Sequence, residues 1–291
     1  MHEITEPREM RAWSRAERAK GRRIGFVPTM GSLHEGHLRL VDRARDHADR
    51  VVLSVFVNPL QFGPQEDFER YPRSLADDRR LAAEREVDCL FVPETAAMYA
   101  AEPLVRVSPG PTAETLEGAA RPGHFAGVLT VVAKLFHIVE PDLAVFGRKD
   151  YQQAALVRQM VRDLDFPVEI DVAPTVRELD GLALSSRNAY LDPDQRRAAL
   201  ALSRALRAVE QAWRGGESNP VVLERRGMEV LRIPGVTPEY LAIVGEAVRP
   251  VKQADARAVV VIAARVGATR LIDNVVLGEG VAGDVAVGGR A

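Results

Sequence analysis

The chain alternates short apolar runs with longer amphipathic segments over its first two-thirds, and this alternation is the strongest constraint on its fold. Runs with the length of buried strands occupy residues 24–27, 51–57, 87–92, 143–146 and 168–172. Helical periodicity occupies residues 38–50, 75–86, 125–139 and 151–164. Strands separated by helices indicate βαβ units, because parallel strands need a long crossover. We therefore predict an α/β fold in which a Rossmann-like domain is built on a parallel sheet.

The pattern changes near Pro174. Helices are predicted over residues 193–214 and 220–231, and strand-like stretches follow at 240–244, 259–266 and 269–276. Helices followed by consecutive strands are typical of an α+β domain. We predict two domains, residues 1–175 and a smaller α+β C-terminal domain over residues 176–291. The glycine-rich stretch 278–291 is predicted to be a mobile tail.

Composition limits the partners that the chain is expected to bind. Lys and Arg number 39 against 41 Asp and Glu, so the chain lacks the basic excess of a general nucleic-acid binder. Cys89 is the only cysteine, which excludes an intramolecular disulfide and a cysteine-cluster metal site. No apolar run reaches the roughly 18 residues of a membrane span, and the first residues lack a signal-peptide core. We expect a cytoplasmic protein that binds neither membrane nor nucleic acid.

The densest chemical signal is the turn after the first predicted strand, Pro28-Thr29-Met30-Gly31-Ser32-Leu33-His34-Glu35-Gly36-His37. Backbone N–H groups at a helix N-terminus are unpaired within the helix and bind anions. His34 and His37 have helical spacing, so both imidazoles are expected on one face, where they can donate to phosphate oxygens. The turn carries neither a dinucleotide-binding glycine pattern nor a Walker A sequence. It therefore predicts a phosphate site that is neither a dinucleotide-binding loop nor a Walker A loop.

Polar residues also follow other predicted strands and the domain boundary. The three stretches are Phe56-Val57-Asn58-Pro59-Leu60-Gln61-Phe62, Phe146-Gly147-Arg148-Lys149-Asp150-Tyr151-Gln152-Gln153 and Leu184-Ser185-Ser186-Arg187-Asn188. Each alone is better explained as a helix cap or a polar turn. The carboxyl ends of parallel strands share one edge of a sheet, where ligands bind. Their convergence therefore predicts a single crevice for a nucleotide and a small polar substrate.

These stretches and the histidine turn, in this order, resemble the pantothenate synthetase (pantoate–β-alanine ligase) family. The likeness runs from about residue 20 to residue 200 and continues more weakly to Thr269-Arg270-Leu271-Ile272-Asp273-Asn274. The family uses ATP and Mg²⁺ to join pantoate to β-alanine through a pantoyl adenylate, releasing AMP and pyrophosphate and making pantothenate, a coenzyme A precursor. The resemblance implies this reaction, a nucleotidyltransferase-type fold for the first domain, and a homodimer.

The resemblance also implies roles for individual residues. His37 is expected to be the general acid and His34 a second phosphate donor, with Lys149 and Arg187 as phosphate-binding cations. Gln61, Gln153 and Asn58 are the expected contacts to pantoate, and Gln61 is expected near β-alanine as well. The expected nucleotide contacts are Met30, Gly31, Ser32, Leu33, His34, Glu35, Gly36, His37, Gly147, Arg148, Lys149, Asp150, Val176, Leu184, Ser185, Ser186 and Arg187.

Two positions depart from the family pattern. Leu184 stands where the family usually has Met, and we expect little loss because the exchange conserves volume and apolar character. Arg148 stands where the family commonly has Glu, which reverses a charge beside the nucleotide loop. The sequence leaves two outcomes open for this guanidinium: stronger attraction of phosphate, or a position in solvent.

The magnesium ligands are harder to predict, because Mg²⁺ keeps several waters and is often bound mainly through substrate phosphates. Two adjacent carboxylate pairs, Glu66-Asp67 and Asp77-Asp78, follow the second predicted strand. We favour Asp77 and Asp78 as the metal ligands, since they lie at a predicted helix start. A solvated helix start explains the same pair at least as well.

Other functions compete with this prediction. A nucleotidyltransferase that transfers AMP to a phosphorylated cofactor precursor would share the histidine turn but would not need Asn58, Gln61 and Gln153. A tRNA synthetase is less favoured, since no basic anticodon-binding domain is evident. A nucleotide-binding regulatory module would not need to keep His37, Lys149 and Arg187, all of which are present.

Overall fold

The computed structural model describes residues 1–64, 66, 68–99, 101 and 103–287, and its chain divides into two compact units. The first unit comprises Met1–Gly147 and Gln152–Ala173, and the second comprises Arg148–Tyr151 and Pro174–Ala291. The short segment Arg148–Tyr151, placed in the first domain by the sequence prediction, therefore groups with the second unit.

A six-stranded sheet organises the first unit. Its strands are β1 His2–Ile4, β2 Ile24–Thr29, β3 Arg50–Val55, β4 Cys89–Phe91, β5 Leu143–Gly147 and β6 Glu169–Ala173. Their order is β1-β4-β3-β2-β5-β6, and every neighbouring pair is parallel. The predicted α/β fold with a parallel sheet is confirmed. The sequence prediction missed β1, because three residues are too few to show a periodicity.

Helices cover both faces of this sheet. They are α1 Pro7–Ala19, α2 Glu35–His47, α3 Leu75–Glu84, α4 Thr95–Met98, α5 Glu117–Ala120, α6 His124–Val139 and α7 Tyr151–Asp163. Successive residues of a strand point to opposite faces. Phe26 accordingly joins a core with residues of α1, α6 and α7, whereas Val27 joins a core with residues of α2 and α3. In the described part of the chain, no helix is long and apolar enough to cross a membrane.

The order of the strands defines where a ligand site is expected. From β2 the chain proceeds to β3 and β4 on one side, and it then returns to β5 and β6 on the other side. The direction of winding therefore reverses between β2 and β5. Ligands of open α/β sheets bind beyond the carboxyl ends of strands at such a switch point. The histidine turn follows β2 directly, and residues 148–151 follow β5 directly.

The second unit combines helices with a small antiparallel sheet. Its elements are β7 Val176–Arg177, α8 Pro193–Arg214, α9 Pro220–Leu231, β8 Val236–Val244, β9 Val259–Val266, β10 Thr269–Val276 and β11 Val285–Ala286. The sheet has the order β10-β9-β8, and residues of α8 and α9 share one apolar core with it. Asp192 begins α8 by accepting from the backbone N–H groups of Asp194 and Gln195. The predicted α+β region is confirmed.

The prediction of a mobile tail is wrong for the described residues after Leu277. Val281 is buried, and β11 pairs in parallel with β7. Asp284 accepts a hydrogen bond from Arg177 at 2.6 Å. The glycine content predicts mobility, but the burial of Val281, the pairing of β11 with β7 and the hydrogen bond to Asp284 hold the segment. Residues 288–291 of the predicted tail lie outside the described residues.

Candidate active site

The turn after β2 has a backbone that only particular residues can adopt. Gly31 has a φ of +80° and Ser32 a φ of +52°, so two successive residues are left-handed. A Cβ atom on Gly31 would lie 2.8 Å from Asp78 Oδ2 and 2.9 Å from Val55 Cγ1. Glycine is therefore required at this position for both its φ angle and its lack of a side chain.

The carboxylate of Asp78, on α3, fixes this turn. Its Oδ2 accepts from the Ser32 backbone N–H at 3.1 Å and its Oδ1 accepts from the Leu33 backbone N–H at 2.7 Å. Burial raises the pKa of Asp78, and the two backbone hydrogen bonds only partly oppose this shift. Two backbone N–H groups of the predicted phosphate site are thus occupied by a protein carboxylate.

The contacts of Asp77 and Asp78 test whether the two carboxylates can share a magnesium ion. The Asp77 carboxylate is 66 % exposed and accepts from the Ser74 hydroxyl, whereas Asp78 is buried against the turn. Asp77 and Asp78 therefore do not fit a shared metal site, and we assign no chemical step to metal bound there. In the described part of the chain, no group of three or more His, Cys, Asp and Glu residues is arranged to hold a metal. Of the other predicted pair, Glu66 binds Arg121, and Asp67 lies outside the described residues.

The two histidines of the turn lie against each other. Their rings stack with centroids 4.1 Å apart and planes inclined by 29°. His34 precedes α2 as its N-cap, and its backbone N–H donates to His37 Nδ1 at 3.3 Å. Because Nδ1 accepts, the proton of a neutral His37 ring lies on Nε2. The Glu35 carboxylate is held by Arg39 at 3.1 Å and by Arg85 at 2.9 Å.

Gln61 lies beside this turn in a defined orientation. Asn58, 1 % exposed, donates to Gln61 Oε1 and to the Gly127 carbonyl, both at 3.1 Å. Asn58 Oδ1 accepts from the Tyr99 hydroxyl at 3.0 Å. Since Gln61 Oε1 is the acceptor, its Nε2 is the donor, and it lies 2.9 Å from Met30 Sδ. The structure thus places Gln61 and Met30 together, whereas Asn58 uses its polar atoms within the protein.

His124 belongs to Arg121-Pro122-Gly123-His124, a polar cluster that the sequence offers for closing over substrate but that we leave out of the predicted catalytic set. Its Nδ1 lies 2.8 Å from the Gln61 carbonyl oxygen, and its Nε2 lies 3.0 Å from Arg121 Nη1. A carbonyl only accepts and a guanidinium only donates, so this ring is neutral with its proton on Nδ1. Burial and the charge of Arg121 lower the pKa of His124 to about 4.

The lowered pKa of His124 predicts that acid destabilises the folded chain. The pKa of His124 is about 4 in the folded chain against an ordinary 6.5, so the unfolded chain binds its proton more readily. The free energy of unfolding therefore falls as the pH drops from 6.5 to about 4, by at most roughly 1.4 kcal/mol per pH unit for this group. Urea denaturation across this range measures the slope.

Two variants of α6 isolate the contribution of His124. His124→Asn keeps a donor for the Gln61 carbonyl but cannot titrate, so its stability is expected to depend less on pH. His137→Asn changes an exposed histidine of the same helix and is expected to keep the wild-type slope. Equal slopes for wild type and His124→Asn would show that this ring is not the titrating group.

In the second unit, the structure excludes one of the two outcomes considered for Arg148, a position in solvent. Its guanidinium is not in solvent: Arg148 is 6 % exposed, and it binds Asp284 at 2.7 Å and also Glu279. Lys149 is 21 % exposed, with its Nζ 3.8 Å from Asp150 Oδ1. The charge of Arg148 is thus paired with carboxylates of the protein.

The Ser-Ser-Arg loop is also part of the second unit. The Leu184 backbone N–H donates to the Val176 carbonyl at 2.9 Å, which joins two segments predicted to contact the nucleotide. Ser185 Oγ accepts from the Arg187 backbone N–H at 3.3 Å, and the chain then forms a 3-10 helix over Ser186–Tyr190. In the first unit, Gln153 lies half-buried on α7.

A parallel sheet with a histidine-bearing turn at its switch point defines a Rossmann-like α/β enzyme fold with polar side chains at the ligand-binding edge. The family model described as pantoate-beta-alanine ligase matches residues 2–276. The chain belongs to this family of ligases. The match confirms the predicted family and the ligase class, and it favours them over a transferase acting on a phosphorylated precursor.

Individual relatives agree with the family match. The chain is 50% identical over 273 residues to the pantothenate synthetase of Pelotomaculum thermopropionicum, covering 93% of this chain and 97% of that protein. A pantothenate synthetase structure from Thermus thermophilus is 50% identical, with a TM-score of 0.90 over 95% of this chain and 99% of that one. A pantoate-beta-alanine ligase structure from Francisella tularensis, complexed with beta-gamma ATP and beta-alanine, is 34% identical, with a TM-score of 0.81 over 97% and 99% of the two chains.

Proposed function

We propose that this chain condenses pantoate with β-alanine, using ATP and releasing AMP and pyrophosphate, in the biosynthesis of pantothenate. The observation that carries the proposal is the family match over residues 2–276, and within it the His34–His37 turn lies in the same unit as Gln61. The Francisella relative, which was solved with an ATP compound and β-alanine, supports the choice of substrates.

The chemistry requires activation of the acid. A carboxylate does not react with an amine at neutral pH, because oxide is a very poor leaving group. In the first step a pantoate carboxylate oxygen forms a bond to the α-phosphorus of ATP, and the bond from this phosphorus to the bridging oxygen of pyrophosphate breaks. The products are pantoyl adenylate and pyrophosphate, and no proton is gained or lost in the bond exchange itself.

The described residues supply donors for the charge that develops in this step. We propose that the Nε2–H of His37 donates to an oxygen of the departing pyrophosphate and that His34 donates to a neighbouring phosphate oxygen. The hydrogen bond from the His34 backbone supports this role, since it fixes the proton of neutral His37 on Nε2. We propose Lys149 and Arg187 as the cations that bind the phosphates.

Gln61 is proposed to bind pantoate. Its Nε2 is a donor in a mostly buried position, so it fits a hydroxyl or carboxylate oxygen of a small hydroxy acid. Asn58, for which the family resemblance predicts a contact to pantoate, is proposed to act by orienting Gln61. Gln153 is proposed as a second pantoate contact from α7.

The second step forms the amide bond. The neutral amine of β-alanine attacks the acyl carbon, the bond between this carbon and the phosphate oxygen breaks, and AMP leaves while the amine nitrogen loses a proton. The adenylate is a reactive anhydride that water would hydrolyse, so water must be kept from it between the steps. Gln61 lies next to Met30, and we propose that this thioether helps to keep water from the reacting group.

We further propose that Mg²⁺ arrives as its complex with ATP, held by phosphate oxygens and water. This proposal agrees with the finding that Asp77 and Asp78 do not fit a shared metal site. A homodimer and a cytoplasmic location stay predictions from the family resemblance and the sequence. The buried thiol of Cys89 is compatible with a reducing compartment.

The reaction products test the proposed function. Purified protein supplied with ATP, Mg²⁺, pantoate and β-alanine is expected to release AMP and pyrophosphate in equal amounts, together with pantothenate. Release of ADP and phosphate would contradict the adenylate route. Replacing β-alanine by glycine or by γ-aminobutyrate is the control, and neither is expected to give an amide at a comparable rate.

A further inference from the structure

The segment that carries Lys149 is held by its backbone to the second unit. We name residues Arg148–Tyr151 the Lys149 turn. Asn274, 2 % exposed on β10, donates through Nδ2 to the carbonyl oxygens of Arg148 and Lys149, both at 2.9 Å. One amide group thus fixes the orientation of two successive peptide planes at the residue proposed to bind phosphate.

The side chain of Arg148 holds the same turn through buried charges. Its Nη2 donates to Asp284 Oδ1 at 2.7 Å, and Asp284 Oδ2 accepts from Arg177 Nε at 2.6 Å. Arg177 in turn binds both oxygens of Asp273, at 2.7 and 2.9 Å. The side chains of Arg148, Arg177, Asp273 and Asp284 are all less than 10 % exposed. Charges buried in this way keep their partners, because an unpaired charge here is strongly unfavourable.

Asp284 therefore connects two segments that are proposed to contact the nucleotide. Through Arg148 it reaches the Lys149 turn. Through Arg177 it reaches β7, whose Val176 carbonyl accepts from Leu184 at the start of the Ser-Ser-Arg loop. Asp284 lies in the glycine-rich stretch after Leu277, for which the sequence predicts a mobile tail. This stretch thus joins the Lys149 turn to β7.

We propose that Asn274 and Asp284 are positioning residues for Lys149, which hold its backbone so that the ammonium group meets the phosphates of ATP. Neither residue needs to touch the nucleotide for this role. Asn274 acts through hydrogen bonds from its side chain to the main chain of the turn, and Asp284 acts through the side chain of Arg148, so the two residues hold the turn by different contacts within one network. The inference rests on the proposed function in one respect, the identity of the ligand as ATP.

The test is a double-mutant cycle on ATP binding, measured by calorimetry with Mg²⁺ present and with both pantoate and β-alanine left out. Asn274→Ala and Asp284→Asn are each expected to weaken the affinity for ATP about tenfold in the wild-type chain, within the coupling range of residues in one network. In a Lys149→Ala chain, the same two changes are expected to weaken ATP binding less than about twofold. Asp255→Asn, an exposed carboxylate of the second unit, is the control and is expected to bind ATP as the wild type does.

Equal weakening in both backgrounds would overturn the proposal, because the two residues would then act independently of Lys149. Unchanged ATP binding by Asn274→Ala would overturn it as well. Asn274→Ala removes no charge, so it remains informative if Asp284→Asn fails to fold, and the thermal midpoint of each variant identifies that case. The affinity for pantoate, proposed to depend on Gln61 and Gln153 of the first unit, is expected to stay unchanged, whereas a general folding defect would lower it.

The cycle separates this inference from the proposed function. If the wild-type chain binds ATP with the expected coupling but makes no pantothenate, the proposed reaction fails and the positioning role stands. If the chain makes pantothenate and the variants bind ATP normally, the positioning role fails and the reaction stands.

Discussion

Replacing His37 by alanine is expected to lower kcat for pantothenate formation about a hundredfold or more, as the loss of one preorganised donor does in other enzymes. The KM for ATP is expected to change much less. The reason is that charge on the pyrophosphate oxygens grows as the α-phosphorus bond breaks, so a donor placed there gains strength mainly in the transition state. Steady-state release of pyrophosphate, with each substrate varied in turn, measures both constants.

Two further variants separate the possible roles of His37. His37→Gln places an amide N–H near the position of Nε2 but cannot transfer a proton, so recovery of most of the lost rate would identify a hydrogen-bond donor and contradict a general acid. His47→Ala removes an exposed histidine of the same helix and is expected to leave kcat unchanged. A loss for His37→Ala confined to KM would contradict a role in the transition state.

The fold was predictable from sequence because the buried faces of helices and strands repeat apolar residues at a regular spacing. The predicted helix 193–214 agrees at both ends with α8 Pro193–Arg214, since an Asp-Pro start and a Gly-Gly stop flank it. β2 extends beyond its predicted end at Val27 to Thr29, because Pro28 and Thr29 still pair with Ser54 and Val55 of β3. Helix α1 was missed because its buried face consists of Met10, Ser14 and Glu17, which show little apolar periodicity.

The site was predictable only in part, because sequence shows which residues are present and not what binds them. The histidine turn, Gln61 and Lys149 could be located from motifs at strand ends. The partners that fix them could not: Asp78 holds the turn, Asn274 holds the Lys149 turn, and Asp284 holds Arg148. These partners lie 45 or more residues from the groups they bind, and no local pattern encodes such a separation. Asn58 and Arg148, both predicted to contact ligands, likewise have buried partners within the protein that the sequence does not reveal.

Asp78→Ala is expected to lower the free energy of unfolding by about 3 kcal/mol, since two buried N–H groups that each cost about 1–3 kcal/mol lose their acceptor while a buried carboxylate is removed. Asp78→Asn is expected to lose about half as much, because its amide oxygen still accepts one of the two hydrogen bonds. Both variants are expected to lose activity beyond the fraction unfolded, since the turn that they loosen carries His34 and His37. Urea denaturation and the initial rate, measured on the same samples, give both quantities.

Asp77→Asn is the matched control, one residue away on the same helix. Its carboxylate is 66 % exposed, so the free energy of unfolding is expected to change by less than about 0.5 kcal/mol. A magnesium titration then decides between two roles for Asp78. If Asp78 were a metal ligand, its substitution would raise the Mg²⁺ concentration needed for half-maximal rate and leave the free energy of unfolding nearly unchanged. Asp77→Asn would then share that effect. If Asp78 anchors the turn, its substitution lowers the free energy of unfolding at every Mg²⁺ concentration, and Asp77→Asn does not. We expect this second result, because Asp78 accepts hydrogen bonds from the backbone of Ser32 and Leu33.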